Sequence, residues 1–419
     1  MSAAVSFDNV AKIADAVLLE GYVLYPYRAT SSKNRYRWTF GVVAPKRWSE
    51  AGGCEPSWIE AQIPASGKHP IVSGRLRFLR VVSRRVERRD ADGWREVELL
   101  TVGTRTLVPW EEGEITEIDF EARAGEETSA SFMLPASVGL EPVTDEDGAV
   151  VARIVREKQA LAGTVDARFD KVANDGSDGE TLYRLSVRVT NETPFEPGAP
   201  RSDAVRAGFI SAHVVCAIES GRFLSVVDPP PFARKVAEGC RSVRLYPVLA
   251  GEVGREDVVL ASPIILYDHP GIAPESPGDF FDASEIDELL ALRTRTLTPE
   301  ERELARATDP RAAEIVDRSL ALTDEQLANL HGAVRDRPTP LDGRFRVGTQ
   351  VRLRPDPKRR RTDAQDLLFA GHTATIEAIK HDVDGRAYLA VIIDDDPAAE
   401  MHRSRGIYHY YSPDEVEAL

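Results

Sequence analysis

The chain is short of the residues that build covalent and redox chemistry. Its 419 residues hold three cysteines and three methionines. Cys54, Cys216 and Cys240 are widely spaced and form no C-x-x-C, which excludes a disulfide framework. Such thiols fit a reducing cytosol, where a buried free cysteine acts as a small hydrophobe. No apolar run approaches the ~18 residues that a membrane helix needs. The N-terminal stretch MSAAVSFDNVAKIADAV lacks both a basic n-region and a continuous apolar h-region, so no secretory signal is read there. These absences point to a cytoplasmic protein without membrane insertion. Positive charge is also in deficit: the formal net charge is −15. That balance argues against a general nucleic-acid binder and against attraction to anionic lipid.

Motifs of catalysis are absent as well. There is no G-x-S-x-G, no G-x-x-x-x-G-K-[ST] and no G-x-G-x-x-G, so neither a nucleophile elbow nor the common phosphate-binding loops are present. Cys54 lies in a glycine-rich loop with no partner motif for a nucleophile. No cofactor is called for.

What is present is a long series of period-two segments followed by a short helical stretch. Asp8 is read as the cap of a helix over 8–18. Strand-like runs continue to about residue 270. They include a hairpin over Ser73–Val102 turning at Asp90-Ala91-Asp92-Gly93, and another in which Tyr183, Leu185, Val187 and Val189 alternate with polar residues. Seven arginines lie between Arg75 and Arg89 among Glu87, Asp90, Asp92, Glu96 and Glu98, a pattern of cross-strand pairing on a solvated face. Ile264-Ile265-Leu266-Tyr267 reads as the buried end of a strand.

Helix signals then take over. Ser284 with Asp287, Thr298-Pro299-Glu300-Glu301, Asp309-Pro310 and Thr323-Asp324-Glu325-Gln326 are capping arrangements. They predict helices near 285–295, 299–307, 310–319 and 324–331. After the linker-like DRPTP, four or five short strands predict a small SH3-like barrel. The expected fold is therefore mainly β with a small α segment. Residues 1–270 form a β-sandwich region of one large or two smaller domains, with Asp145–Gly148 a possible division. Residues 271–335 form a four-helix segment, and residues 342–419 the barrel.

Three clusters carry candidate function. The first is Tyr25, Tyr27, Arg28, Lys33, Asn34, Arg35 and Trp38, a mix of aromatic and cationic side chains of the kind found in protein-docking hot spots. Stacking on bases is a second use of such a mix. Lys358, Arg359, Arg360 and Arg361 form a cationic run in a barrel loop, suited to an acidic partner or to RNA, or simply solvated. In the last fifty residues, His402 and His409 lie with other histidines and with Asp394-Asp395-Asp396. They offer imidazole and carboxylate ligands, but without H-x-x-x-H or H-E-x-x-H spacing.

Three long phrases, EGYVLYPYRATSSKNRYRWTFG, SPIILYDHPGIAPESPGDFFDASEIDELLALR and AGHTATIEAIKHDVDGRAYLAVIIDDDP, resemble an uncharacterised, mainly actinobacterial family of roughly 400-residue proteins. Its genes accompany those of high-affinity [NiFe]-hydrogenases and their maturation factors. The resemblance implies a hydrogenase-associated accessory or assembly protein whose partners are hydrogenase subunits or maturation factors; it supplies no catalytic residues. The preferred expectation is thus a non-enzymatic protein that works by protein–protein contact. The alternatives are a metal-dependent hydrolase or metallochaperone using His402 and His409, and an RNA-binding protein using the basic loop.

Overall fold

The computed structural model describes residues 7–173, 180–272, 276, 278–281, 286–330, 345–355, 368–381 and 387–419. Two compact units result, Met1–His331 and Gly332–Leu419. The protein is mainly β, with a large antiparallel sheet, a small helical segment and a C-terminal five-stranded sheet.

The first unit opens with helices α1 (Asp8–Leu19) and α2 (Lys46–Glu50), and carries α3 (Arg201–Arg206) and α4 (Arg234–Glu238) among its later strands. Its strands are β1 (Trp58–Asp90), β2 (Gly93–Glu96), β3 (Leu100–Val102), β4 (Arg105–Leu107), β5 (Trp110–Arg123), β6 (Glu127–Leu134) and β7 (Ser137–Thr144), followed by β8 (Val150–Lys158), β9 (Leu161–Ala173), β10 (Thr181–Asn191), β11 (Ile210–Phe223), β12 (Tyr246–Leu249) and β13 (Val258–Ser262). Everything hangs on β1, a strand of 33 residues. Residues 58–67, 71–84 and 87–90 along one rail pair with β10, β5 and β2. Along the other rail, residues 65–79 and 82–88 pair with β11 and β8. The sandwich expected from the sequence therefore takes the form of one eleven-stranded sheet turning on a single strand. The hairpin turn after Asp90 falls where the sequence placed it, but the strand begins 15 residues before Ser73. The loop at 145–148 is no domain boundary, because β7 and β8 on either side of it pair with each other.

The main core lies where inward side chains of β1, β5, β9, β10 and β11 meet, among them Ile63, Leu76, Phe78, Val165, Leu185 and Val214. Phe78 and Phe209 pack at its centre with ring centroids 4.6 Å apart. Gly74 makes room there. It lies opposite Phe120 on β5, and a Cβ added to it would fall 2.1 Å from the ring. The arginines of β1 pair across strands as expected, but not all on a solvated face: Arg77 and Arg80 are buried, and Arg80 donates to the Pro135 and Gln159 carbonyls. Arg75 pairs with Asp119 at 2.6 Å, Arg77 with Glu117 at 2.8 Å and Arg84 with Glu112 at 3.0 Å, each across the β1–β5 ladder.

On a second face, Val10, Ala14 and Val17 of α1 pack against Val215, Val248 and Leu260. α1 starts at Asp8 with Phe7 at the cap position and no side-chain cap bond. The helical segment comprises α5 (Asp287–Arg295), α6 (Pro299–Thr308), α7 (Pro310–Ala321) and α8 (Asp324–Asn329). Thr298 and Glu301 close a full capping box on α6, and Asp309 caps α7 through the Arg311 amide. The Ser284 cap lies outside the described residues. These helices are too short to stand alone. Leu290, Ala305, Ile315 and Val316 instead share a core with Tyr22, Tyr27, Trp38, Leu79 and Trp110. The segment is thus part of the first unit, not a domain beside it.

In the second unit, β14 (Gln350–Leu353), β15 (Thr373–His381), β16 (Ala387–Ile393), β17 (His409–Tyr411) and β18 (Val416–Ala418) form an antiparallel sheet in the order β17-β16-β15-β14-β18. Val351, Ile376, Leu389, Val391 and Tyr411 make its core.

Candidate functional site

The aromatic and cationic segment near the start is largely turned into the protein. Tyr27, Asn34 and Trp38 are buried, and Tyr25, Arg28 and Lys33 are half-buried. This corrects the expectation of a docking surface there. The aromatic rings are the apolar filling between sheet and helices, and the polar groups tie that filling together. Asn34 bonds Leu24 through both its amide and its oxygen, Arg28 reaches Glu301 at 2.8 Å, and the Ala29 amide donates to Thr308 Oγ1. Tyr36 is the large exposed aromatic of the segment. Of Arg35, only its place in a single 3-10 turn, Lys33–Tyr36, is described.

At the centre of this joint sits Arg37, part of the same aromatic and cationic stretch. Its guanidinium carbon lies 3.6 Å from the Trp110 ring centroid and 4.3 Å from that of Trp38, and it donates to the Glu111 carbonyl. Burial pulls its pKa down to about 10, against the pull of Tyr22, Glu111 and Asp309, so it stays charged at neutral pH. Beside it the Tyr22 hydroxyl donates to Asp309 Oδ2 at 2.8 Å and accepts from the Gly113 amide at 3.0 Å. Burial first, and then the Asp309 charge, lift the phenol above the usual tyrosine range, which keeps it a donor. One cluster thus joins the N-terminal segment, β5 and the start of α7.

Next to this joint a cleft of about 380 Å³ opens between the sheet and the helices, lined by Arg84, Arg105, Arg156, Glu141, Arg306 and Asp309 among others. Its charges form a ladder. Glu112 bridges Arg84 and Arg156, and Glu141 joins Arg156 at 2.7 Å and Arg105 at 3.7 Å. Arg306 is held across the way by Asp317 at 2.7 Å. Paired charges of this kind orient one another rather than activate a nucleophile.

In the second unit His402 lies 3.0 Å from Asp396, and His372 lies 3.0 Å from Asp395. His409 packs instead against the Phe369 ring, with centroids 4.9 Å apart. The two histidines of the metal alternative therefore have different neighbours, and no group of three or more metal-ligating side chains occurs among the described residues. Lys358, Arg359, Arg360 and Arg361 lie outside the described residues.

The thiols differ in their surroundings. Cys216 is buried and its pKa is pushed up to about 12 by burial; Cys240 is pushed up to about 11 by the same cause. Cys54 is exposed. His213, on β11 opposite Arg77, is fully buried. Its Nδ1 lies 2.9 Å from the Ser211 carbonyl, and Nε2 has no hydrogen-bond partner. A ring nitrogen facing a carbonyl must donate, so Nδ1 carries the proton. Burial, reinforced by Arg77 and opposed by Ser211 and Asp15, lowers its pKa to about 4.

The stretch following β13 departs from its sequence reading in the opposite sense from Tyr27 and Trp38. The strand stops at Ser262, whose hydroxyl turns to the Ile264 carbonyl. Ile264 and Leu266 pack inward against the α1 layer, while Ile265 and Tyr267 are 74% and 78% exposed. The alternation was legible in principle, but a four-residue apolar run hid it. No helix among the described residues is long and apolar enough to cross a membrane.

No protein-family model matches the chain, and no curated protein matches it. Among solved structures it is weakly similar to the secretin InvG of the Salmonella SPI-1 type III secretion injectisome (residues 176 to the end, open gate state). That match has 10% identity and a TM-score of 0.12, and covers 50% of this chain and 64% of that one; a likeness of this size carries no argument about fold or function.

Proposed function

We propose that this chain is a non-enzymatic accessory or assembly protein of a [NiFe]-hydrogenase, acting through protein–protein contact. The observation that carries the contact reading is the outward pair Ile265 and Tyr267. Large apolar side chains held in water on an ordered stretch cost solvation, and they recur where a partner covers them. The pair falls inside SPIILYDHPGIAPESPGDFFDASEIDELLALR, one of the three phrases that resemble the hydrogenase-associated family, and that resemblance is the support for the choice of partner. Ile286, Leu289 and Leu292, later in the same phrase, are also exposed.

The test is a pull-down of the tagged full chain from its native host under hydrogenase-expressing conditions, read by mass spectrometry. Wild type is compared with Ile265→Asp/Tyr267→Asp, two exposed positions, with circular dichroism to check that the variant is folded. Hydrogenase subunits or maturation factors recovered with wild type and lost with the variant support both role and surface. Recovery with both keeps the role and removes this surface. Recovery with neither overturns the role.

A further inference from the structure

β7 lies at an edge of the large sheet, and among the described residues it pairs with β8 alone. The edge at β12 is managed differently. There Leu249 gives its amide to Asp268 and its carbonyl to the His269 amide, and Pro247 offers no donor. On β7, by contrast, Val138 and Leu140 are 64% and 59% exposed, and Ser137 and Gly139 beside them are exposed too. The one charged residue of the strand, Glu141, is turned back onto Arg156 and Arg105.

We propose that β7 is the self-association edge of this protein: two copies pair their β7 strands antiparallel about a two-fold axis at Gly139, making one continuous sheet. Pro142 fixes which backbone groups are available. A proline within a ladder turns its nitrogen away from its neighbour, and Pro142 lies opposite Arg153 of β8. The even-numbered residues of β7 therefore point their backbone groups outward, and Val138 and Leu140 are the ones that still carry an N–H. A two-fold axis at Gly139 sets Val138 against Leu140 of the second copy, and Leu140 against its Val138. Each of these pairs exchanges two backbone hydrogen bonds. An axis at Glu141 would instead set Leu140 against Pro142, which has no N–H to give.

The side chains agree with the same register. Val138 and Leu140 share a face, so each two-fold pairing places an apolar side chain on an apolar side chain, with no like charges opposed. Gly139 meets itself at the axis, and the nearest atom to an added Cβ there is the Arg156 carbonyl oxygen at 3.9 Å. Isologous pairing of one short stretch with its own copy is the commonest route to a dimer.

The experiment uses the full chain in light scattering after size exclusion, at high micromolar concentration. Wild type is expected to run as a dimer. Leu140→Lys, at an exposed position, is expected to raise the dimer dissociation constant roughly tenfold through two lost pairs and a new charge facing the edge. A covalent trap tests the register. Directly opposed residues of a non-hydrogen-bonded pair stand about 4.5 Å apart at Cα, inside the ~4.4–6.8 Å window for a disulfide. In a Cys54→Ser background, Gly139→Cys is expected to cross-link on mild oxidation. Ser137→Cys, which faces Glu141 of the second copy, is expected to stay monomeric on non-reducing gels. A monomer for wild type, a dimer indifferent to Leu140→Lys, or cross-linking at 137 in place of 139 would each overturn the proposal.

Discussion

Acid should weaken the first unit through His213, by an amount that can be worked out. The imidazole is fully buried and its folded pKa is about 4, against the ordinary histidine value of 6.5 in the unfolded chain. Between those two values the unfolded state binds more protons than the folded one, so stability falls as pH falls through that window. The loss is about 2 kcal/mol on going from about pH 7.5 to about pH 5, and grows to about 3 kcal/mol near pH 4. Carboxylates contribute acid lability of their own, so the readout is a difference between two proteins. His213→Gln stays neutral across the range and keeps an amide donor for the Ser211 carbonyl. Urea unfolding can be followed by tryptophan fluorescence, because Trp38, Trp48, Trp58, Trp94 and Trp110 all lie in the first unit and none in the second. Wild type should lose about 2 kcal/mol more than the variant, a relative shift in midpoint of roughly 1 M urea. Parallel pH profiles for the two proteins would refute the reasoning, since they would mean that water or a proton reaches His213 in the folded state.

Two further outcomes follow from packing and burial. Gly74→Ala should destabilise the first unit by roughly 1–3 kcal/mol in the same unfolding assay, because the added methyl meets the Phe120 ring where neither backbone nor ring has room to withdraw. In thiol titration with a disulfide reagent, Cys54 should react in the folded protein and Cys216 only on unfolding, since the first is exposed and the second is buried with its pKa pushed up to about 12. Cys54→Ser should then abolish the fast phase.

The helical segment was the most legible part of the chain because its signals are local. Thr298 with Glu301, Asp309 before Pro310, and Thr323 with Gln326 all cap where they were read, since a cap needs only its own next three residues. β1 was less legible. Its hairpin was read from Ser73, yet the strand already runs from Trp58 through Pro64, Gly67 and the His69-Pro70 pair, where it changes partners from β10 to β5 on one rail. β7 went unread because Gly139 and Pro142 look like turn residues, and at a sheet edge both are tolerated. The candidate surface was misplaced for a related reason. Tyr27 and Trp38 carry the composition of a hot spot, but the same amphipathic rings fill joints between layers, and only the positions of α5 to α7 tell the two uses apart. Arg37 belongs to the same aromatic and cationic stretch, but its buried role was not legible there, because the Trp110 that completes its surroundings is distant in the chain.

The length of β1 has a consequence for synthesis. Its first rail begins to fill soon, when β5 leaves the ribosome, but β11 on the other rail is completed over a hundred residues after Asp90. At translation rates of about 10 residues per second that interval is on the order of ten seconds. Throughout it a long row of unmatched N–H and C=O groups, flanked by Leu76, Phe78 and Leu79, stands ready to capture a neighbouring nascent chain. The arginines at 75, 77 and 84 interrupt that apolar row at close intervals, so the same residues that lock the finished ladder also act as gatekeepers while it waits.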